Sequence, residues 1–472
     1  MRWLQGHGPP RVRPGERWLP KGVLSERNVK LSMGLAVMGA LVSTIAHGQI
    51  FTVYIFELFG DNTSVGLTES IAGFTALVTA VPVGVAVDRV PRSKLLRGFA
   101  VVGLLAAALG ALATCMGPWA VTGPAGERRS PGPTFKLVLL SALSLWGLFF
   151  NAATSAAQAL FADSVPTGII RRDLYAMKST LQLITLALGP LIALCCTLVL
   201  GNEWQLEHMM YMLLPGFALM VPMCLGMTSF EEVSLPLTEL RTGLLEDSRR
   251  PVGEDAPSTA GPLERGAADG AWLVPWLLLV AELITSVGAG MTVKFFSLWF
   301  KNVFHFSPAG VSALAAATPI CIAVAVQVLQ RFAAACPFGP VPVMLGFWLA
   351  SIGILMTMTR ISDWRLLVVL HLLRTAFANC KEPLAKAILA DFTPSRTRGR
   401  WNAVHSLTGM TWTGSAALGG ILCDRYGYGR TFAMTAGLYL VAATFWLPLI
   451  RLVPHEKRCA PEEEVAASKK SG

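Results

Sequence analysis

The chain has 472 residues, 53% of them hydrophobic and only 14% charged, with a net charge of +10. A soluble protein carries about 25% charged residues, so the deficit, with no polar stretch long enough for a separate soluble domain, excludes a globular protein surrounded by water. The positive excess sits in loops and tails, which argues for orientation in a membrane and against a nucleic-acid partner.

The first 30 residues hold seven Lys and Arg and no long apolar core, which reads as a cytoplasmic tail (1–32) rather than a signal peptide; Glu16 and Glu26 speak against a transit peptide. A spanning helix needs about 20 mostly apolar residues. Such runs fall at 33–58, 68–87, 95–117, 137–162, 177–200 and 209–229, and again at 272–299, 309–329, 341–359, 366–391, 402–423 and 431–451. Between the two sets, residues 230–271 are rich in Glu, Arg, Pro and Gly with no apolar helical period, apart from a short amphipathic piece at Leu235–Leu245. This stretch reads as a cytoplasmic linker. The expectation is an all-α membrane protein: twelve transmembrane helices in two pseudo-symmetric six-helix bundles, 33–229 and 272–451, with a C-terminal tail at 452–472. The nine cysteines show no CxxC spacing, and several lie inside apolar runs, so they suggest neither a disulfide framework nor a metal site.

Basic residues set the orientation. Arg89, Arg92, Lys94 and Arg97 follow the second run, Arg171, Arg172 and Lys178 the fourth, and Arg396, Arg398 and Arg400 the tenth, whereas 59–66 and 201–207 hold none. Arg128 and Arg129 run the other way. The asymmetry predicts both termini in the cytoplasm of a multi-pass protein, at the plasma membrane or an endomembrane. The sequon Asn62-Thr63-Ser64 falls in the first outer loop and very close to the membrane.

The halves repeat. Phe149–Arg172 and Phe377–Arg400 share eight identities at an offset of 228, including Asn151 with Asn379, Asp163 with Asp391 and Arg172 with Arg400. Gly48, Thr52, Val53, Phe56 and Leu58 match Gly288, Thr292, Val293, Phe296 and Leu298 at an offset of 240. Both echoes map helix n onto helix n+6, the mark of a transporter built from two bundles around one path.

After the second run comes Gly84-Val-Ala-Val-Asp88-Arg89-Val-Pro91-Arg92-Ser-Lys94. It resembles the loop motif of the major facilitator superfamily, and Gly420 through Asp424-Arg425 to Gly427 resembles that family's usual stretch between helices 11 and 12. Two departures stand out. Pro91 replaces a second glycine, and the loop after helix 8 keeps Arg331 without an acid. The expected use of the motif is a cytoplasmic gate. Gly84 lets helices approach, Asp88 sits at a helix N-terminus, and Arg89, Arg92 and Lys94 reach Asp163, with Asp391 and Arg400 the counterpart in the second half. In that reading the ion pairs hold the inner gate shut and break when it opens.

Ionisable groups inside a spanning helix are costly and mark function. Helix 1 carries His47 and Gln49, helix 4 a polar stripe of Asn151, Thr154, Ser155 and Gln158 at i, i+3, i+4 and i+7, helix 7 Glu282 and Lys294, and helix 10 His371, Arg374, Asn379, Lys381, Glu382 and Lys386. Pro383 can kink helix 10, and Glu382 can pair with Lys386 at i+4. The family resemblance implies that helices 1, 4, 7 and 10 line the central cavity, so His47, Gln49, Asn151, Thr154, Ser155, Gln158, Glu282, Lys294, Arg374, Asn379 and Glu382 are the expected substrate site. Lys294 and Arg374 suggest an anionic solute; Glu282, Glu382 and His47 are candidates for proton coupling. Drug-antiporter signatures are eroded to Gly189-Pro190, and sugar-transporter signatures are missing. No P-loop, HExxH or GxSxG is present, so neither an ATP-driven pump nor an enzyme is expected, and no cofactor. The sequence therefore predicts a monomeric secondary transporter of a small solute in a lipid bilayer; a channel or a solute sensor of the same build is the rival reading.

Overall fold

The computed structural model describes residues 25–122, 129–165, 169–232, 272–393, 408–409 and 411–453. The tails, the body of the linker with Leu235–Leu245, and Arg400 lie outside the described residues.

The first half comprises α1 (Glu26–Ala46), α2 (Gln49–Phe59), α3 (Asn62–Arg89), α4 (Arg92–Val121), α5 (Pro133–Asp163), α6 (Ile169–Leu200) and α7 (Leu206–Thr228). The second comprises α8 (Leu273–Gly290), α9 (Phe295–Phe304), α10 (Pro308–Ala335), α11 (Pro340–Met358), α12 (Trp364–Asn379), α13 (Glu382–Asp391), α14 (Ala416–Tyr426), α15 (Tyr428–Thr444) and the short α16 (Leu449–Leu452). Ten helical segments among the described residues are long and apolar enough to cross a bilayer. The expected span at 366–391 is not one of them, because it is broken and carries five charges; that at 402–423 is only partly described. With these two, the architecture is the expected twelve-helix one.

Three spans differ from the straight rods expected of them. Helix 1 starts at Glu26, seven residues early, with Ser25 accepting from the Asn28 amide at 3.2 Å. It then breaks at His47-Gly48 between α1 and α2. A side chain at Gly48 would collide with the Thr44 carbonyl, so the break needs glycine. Helix 7 breaks at residues 291–294, between α8 and α9. Helix 10 breaks between Asn379 and Glu382, just before Pro383, which cannot donate to the preceding turn. All three breaks face the space between the halves, where freed backbone groups can be served by protein or solute instead of lipid.

Two seams join the halves: α3 packs on α14, and α6 on α10. Along the first, backbones nearly touch. A Cβ on Gly66 would overlap the Ala416 carbonyl, one on Gly73 the Thr413 side chain, and one on Gly420 the Asn62 carbonyl. Small residues at such spacing let helices approach without bulky knobs, and dispersion then replaces the hydrophobic effect that lipid does not supply. Ser70 adds cross-half bonds to the carbonyls of Thr413 (3.1 Å) and Gly414 (3.0 Å) and accepts from the Ala417 amide (3.0 Å).

Both described chain ends lie at one end of the molecule. The Ser25 amide donates to Ser164, and α16 packs beside α8. The start of the linker is fastened there too. Phe230 is buried, Glu231 pairs with Arg27 and exchanges bonds with Asn28 (2.8 and 3.1 Å), and Glu232 accepts from the amides of Arg92 (3.3 Å) and Ser93 (2.9 Å), capping α4. Burial opposes the Glu232 charge, but the bonds from Ser93 and Arg92 and the Arg92 charge outweigh it and hold the carboxyl below its usual range. Residues 230–232 thus belong to the first half, not to a free linker.

The seam generates a test. Gly66→Val should prevent the end opposite the termini from closing, because a backbone carbonyl cannot move aside as a side chain could. A cysteine placed at Ser286 in the central space should then react faster with a membrane-impermeant thiol reagent applied from that side than it does with Gly66 intact. Equal labelling would show that the seam does not control access.

Candidate functional site

Between the halves lies a central space with two lobes, of about 640 Å³ against the first half and about 500 Å³ against the second, sharing Thr44, Gly48, Gly409 and Trp412 as walls. His47, Asn151, Thr154, Ser155, Gln158 and Lys294 line the first lobe. Gln49, Glu282, Arg374, Asn379 and Glu382 line the second. All eleven residues expected to contact solute therefore face this space, because each is a polar group whose alternative was lipid.

Some also hold the frame. The amide of Asn151 donates to the Ala76 carbonyl at 3.1 Å, tying α5 to α3, and that of Asn379 to Thr375 at 2.7 Å within α12. The His47 ring stacks on Trp146 with 3.8 Å between centroids, while its carbonyl, left free by the helix break, accepts from Lys294 at 3.3 Å.

Lys294 is the hub. Its ammonium pairs with Glu69 of α3 at 2.7 Å and lies 5.8 Å from the Trp412 ring, joining α8–α9 of one half to α3 and the α1–α2 break of the other. Glu69 was not among the expected site residues. It stands at the edge of the run 68–87 and reads as interfacial there, but α3 begins at Asn62, which carries Glu69 two turns into the helix. The cationic charge expected from Lys294 is consequently neutralised.

Lys381 is a second omission. Its side chain is 2% exposed, in the break of helix 10, with Glu282 at 3.9 Å, Glu382 at 3.8 Å and the rings of Trp348 and Trp446 at 4.4 and 5.5 Å. Glu382 also faces Lys386 at 3.6 Å, the expected i, i+4 pair. Arg374 is 3% exposed, its guanidinium 5.2 Å from the Phe296 ring and 5.8 Å from the Tyr439 ring, with Nη2 donating to the Tyr439 hydroxyl at 3.3 Å.

The end opposite the termini is closed by polar bonds. Asp424 of α14 accepts from the Asn62 amide (3.0 Å) and side chain (2.8 Å) and from the Thr63 amide (2.7 Å) and hydroxyl (2.6 Å), at the N-terminus of α3. Tyr428 donates to Asn62 at 2.8 Å, Lys301 pairs with Glu57, Trp204 donates to the Phe306 carbonyl at 2.8 Å, and the Ala309 amide to Asn202 at 2.9 Å. Asn62 is 7% exposed and fully engaged, so in this conformation its sequon is not presented for glycosylation.

The terminal end differs from expectation. Gly84 packs against nothing: a Cβ there would meet open space. Arg89 and Lys94 are exposed. Arg92 does pair with Asp163, but that bond fastens α4 to α5 within one half and does not bridge the halves. It is formed together with the bonds that close the opposite end. The side chains of Asp88, Arg172 and Asp391, and all of Arg400, lie outside the described residues.

A family model described as Major Facilitator Superfamily matches residues 278–471. The match lies in the second half of the chain, from α8 onward. Solved structures with the same fold include a bacterial homologue of the iron transporter ferroportin in an inward-facing state (12% identity, 90% of this chain and 98% of that one, TM-score 0.65). The E. coli xylose transporter XylE in an inward-open conformation is similar too (12%, 91% and 97%, 0.62). So is a bacterial homologue of the human lysosomal transporter Spinster, also inward-facing (14%, 92% and 98%, 0.57). A search of curated protein sequences finds no match. The protein is thus an integral, multi-pass membrane protein, with its polar side chains gathered between the two halves.

Glu69 and Lys294 can be tested as a pair. Glu69→Gln leaves a largely buried ammonium without its carboxylate, a loss of up to about 3 kcal/mol. The double variant Glu69→Gln/Lys294→Met should unfold at a higher temperature than either single variant in a detergent melt. Losses that simply add would show that the two charges do not interact.

Proposed function

We propose that this protein is a secondary carrier for a small solute, working by alternating access as a monomer, with both termini in the cytoplasm. The observation that carries the reading is the two-lobed space lined by buried charges and sealed at one end by bonds between the halves. In the proposed orientation that sealed end is the outer one, so the conformation is inward-facing, like the three solved relatives.

The energetics suit a switch. Each cross-half hydrogen bond is worth about 0.5–1.5 kcal/mol net, and a carboxylate at a helix N-terminus adds about 0.3–1 kcal/mol. The bonds around Asp424, with Lys301–Glu57 and Trp204–Phe306, sum to the order of the roughly 5.5 kcal/mol that moves a two-state equilibrium from 1:99 to 99:1. Opening the outer end exchanges them for interactions at the inner end, where Gly84 offers a side-chain-free surface for the other half and Arg89 and Lys94 are available as partners. In this reading Arg92–Asp163 is a strut that keeps the loop rigid while the halves rock.

The solute is an organic anion, favoured by Arg374 now that Lys294 is matched. Proton coupling, if the carrier uses it, runs through Glu282, Glu382 or His47, to which the inter-half position of Glu69 adds a fourth candidate. Each faces the central space, where changes in solvation accompany the switch.

The test is transport in proteoliposomes. Asp424→Asn should lower exchange at least several-fold while leaving expression intact, since an amide cannot accept four bonds as the carboxylate does. Wild-type uptake should respond to an imposed proton gradient. Normal exchange by Asp424→Asn would remove the outer latch from the mechanism, and uptake indifferent to the gradient would remove the proton. A protein that binds solute without exchanging it would be a sensor instead.

A further inference from the structure

The charges that line the central space are not all paired, and the unpaired one has an address. Lys294 is matched by Glu69 at 2.7 Å, and Lys381 by Glu282 and Glu382 at 3.9 and 3.8 Å, with Lys386 also facing Glu382 at 3.6 Å. The cation lining the central space that has no carboxylate within ion-pair distance among the described residues is Arg374. Among the described residues no carboxylate pairs with it, although it is 3% exposed, and its Nε is buried without a hydrogen-bond partner. Leaving a guanidinium so placed unanswered is expensive.

The surroundings say what would answer it. The rings of Phe296 and Tyr439 lie against the guanidinium, and its Nη2 makes a 3.3 Å bond to the Tyr439 hydroxyl. With Nη2 so engaged and nothing on Nε, the guanidinium lacks a matching partner, and for that planar group the matching partner is a carboxylate. Beside it, the Nδ1 of His371 is also buried without a partner, and Phe300 and Trp348 continue the wall as apolar surface. A dianion would bring one charge more than Arg374 can match. A neutral solute can accept a hydrogen bond but leaves the guanidinium charge unmatched.

We propose that Arg374 is the seat of a monovalent carboxylate carrying an apolar or aromatic body, so that the carrier's solute class is amphipathic monocarboxylates. The binding step stands by itself, but its place in transport rests on the carrier reading above. The site is wide enough for such a body, since the lobe holds about 500 Å³.

The experiment uses the purified full-length protein in detergent, with calorimetric titration of three probes alike in their ring: 3-phenylpropionate, its neutral amide, and the dianion phenylsuccinate. A series of straight-chain monocarboxylates is run alongside. Saturable binding of monocarboxylates in preference to the amide and the dianion is expected. Arg374→Lys, which keeps the charge and loses the planar fork, should weaken it by about tenfold or more, and Arg374→Gln should abolish it. Because the probe comparison is made on the wild type, the proposal can fail even if neither variant folds. It is overturned by equal binding of the amide, by tighter binding of the dianion, by unchanged affinity in Arg374→Gln, or by no binding of any monocarboxylate at millimolar concentration. Counterflow in proteoliposomes separates the two claims. Binding without exchange keeps the seat and removes the carrier, whereas exchange of a neutral solute by active Arg374→Gln keeps the carrier and removes the seat.

Discussion

The bond on which most of this arrangement depends is the one between Lys294 and Glu69. It spans the two halves at the middle of the molecule, 2.7 Å long, and its ammonium also reaches the carbonyl freed by the break in helix 1. In lipid no water answers a stray charge or an unpaired carbonyl. The only place for such groups is between the bundles, facing one another or a solute. The helix breaks, the buried cations and the polar stripe of α5 converge there for that one reason. A core of close-packed small residues can then be reserved for the seams that hold the halves together.

The seams and the charges divide the labour. The α3–α14 seam works by shape: Gly66, Gly73 and Gly420 bring two backbones together, and Asp424 finishes the join by capping α3 from the opposite half. The other end of α3, around Gly84, offers the same side-chain-free surface with nothing on it. A helix with a filled glycine face at one end and an empty one at the other is suited to rocking, because packing given up at one end can be replaced in kind at the other. Within the first half, bonds such as Arg92–Asp163, Asn151–Ala76 and Glu232 on α4 tie neighbouring helices together.

Much of this was legible in the sequence, for a physical reason. His47, Asn151, Gln158, Glu282 and Arg374 are polar groups in apolar runs, and a polar group at that depth has one tolerable direction to point. The pieces that escaped were those whose depth the apolar pattern misstates. Glu69 looked interfacial because hydropathy begins at residue 68, while the helix begins at Asn62, set by an Asp61 cap that hydropathy does not register. The break at Gly48 left no mark, since a glycine in an apolar run is as consistent with packing as with a kink; that at Asn379–Glu382 was foreshadowed by Pro383. The role of Asp424 was hidden because its partners, Asn62 and Thr63, are more than 360 residues away and read as a glycosylation signal. The loop motif was visible, but its Arg92–Asp163 pair joins α4 to α5, and sequence spacing cannot tell a bond within a bundle from one between bundles.

The central claim is that two rigid halves exchange closure between their ends around the Lys294–Glu69 level. Pulsed electron–electron distance measurement on spin labels at two exposed pairs tests it most directly. One pair, Glu203 and Arg430, spans the halves at the closed end; the other, Arg97 and Phe338, spans them at the terminal end. In liposomes the two distance distributions should each hold two populations, and any condition that lengthens one pair should shorten the other. Distances that stay single and fixed, or that lengthen together, would contradict the account.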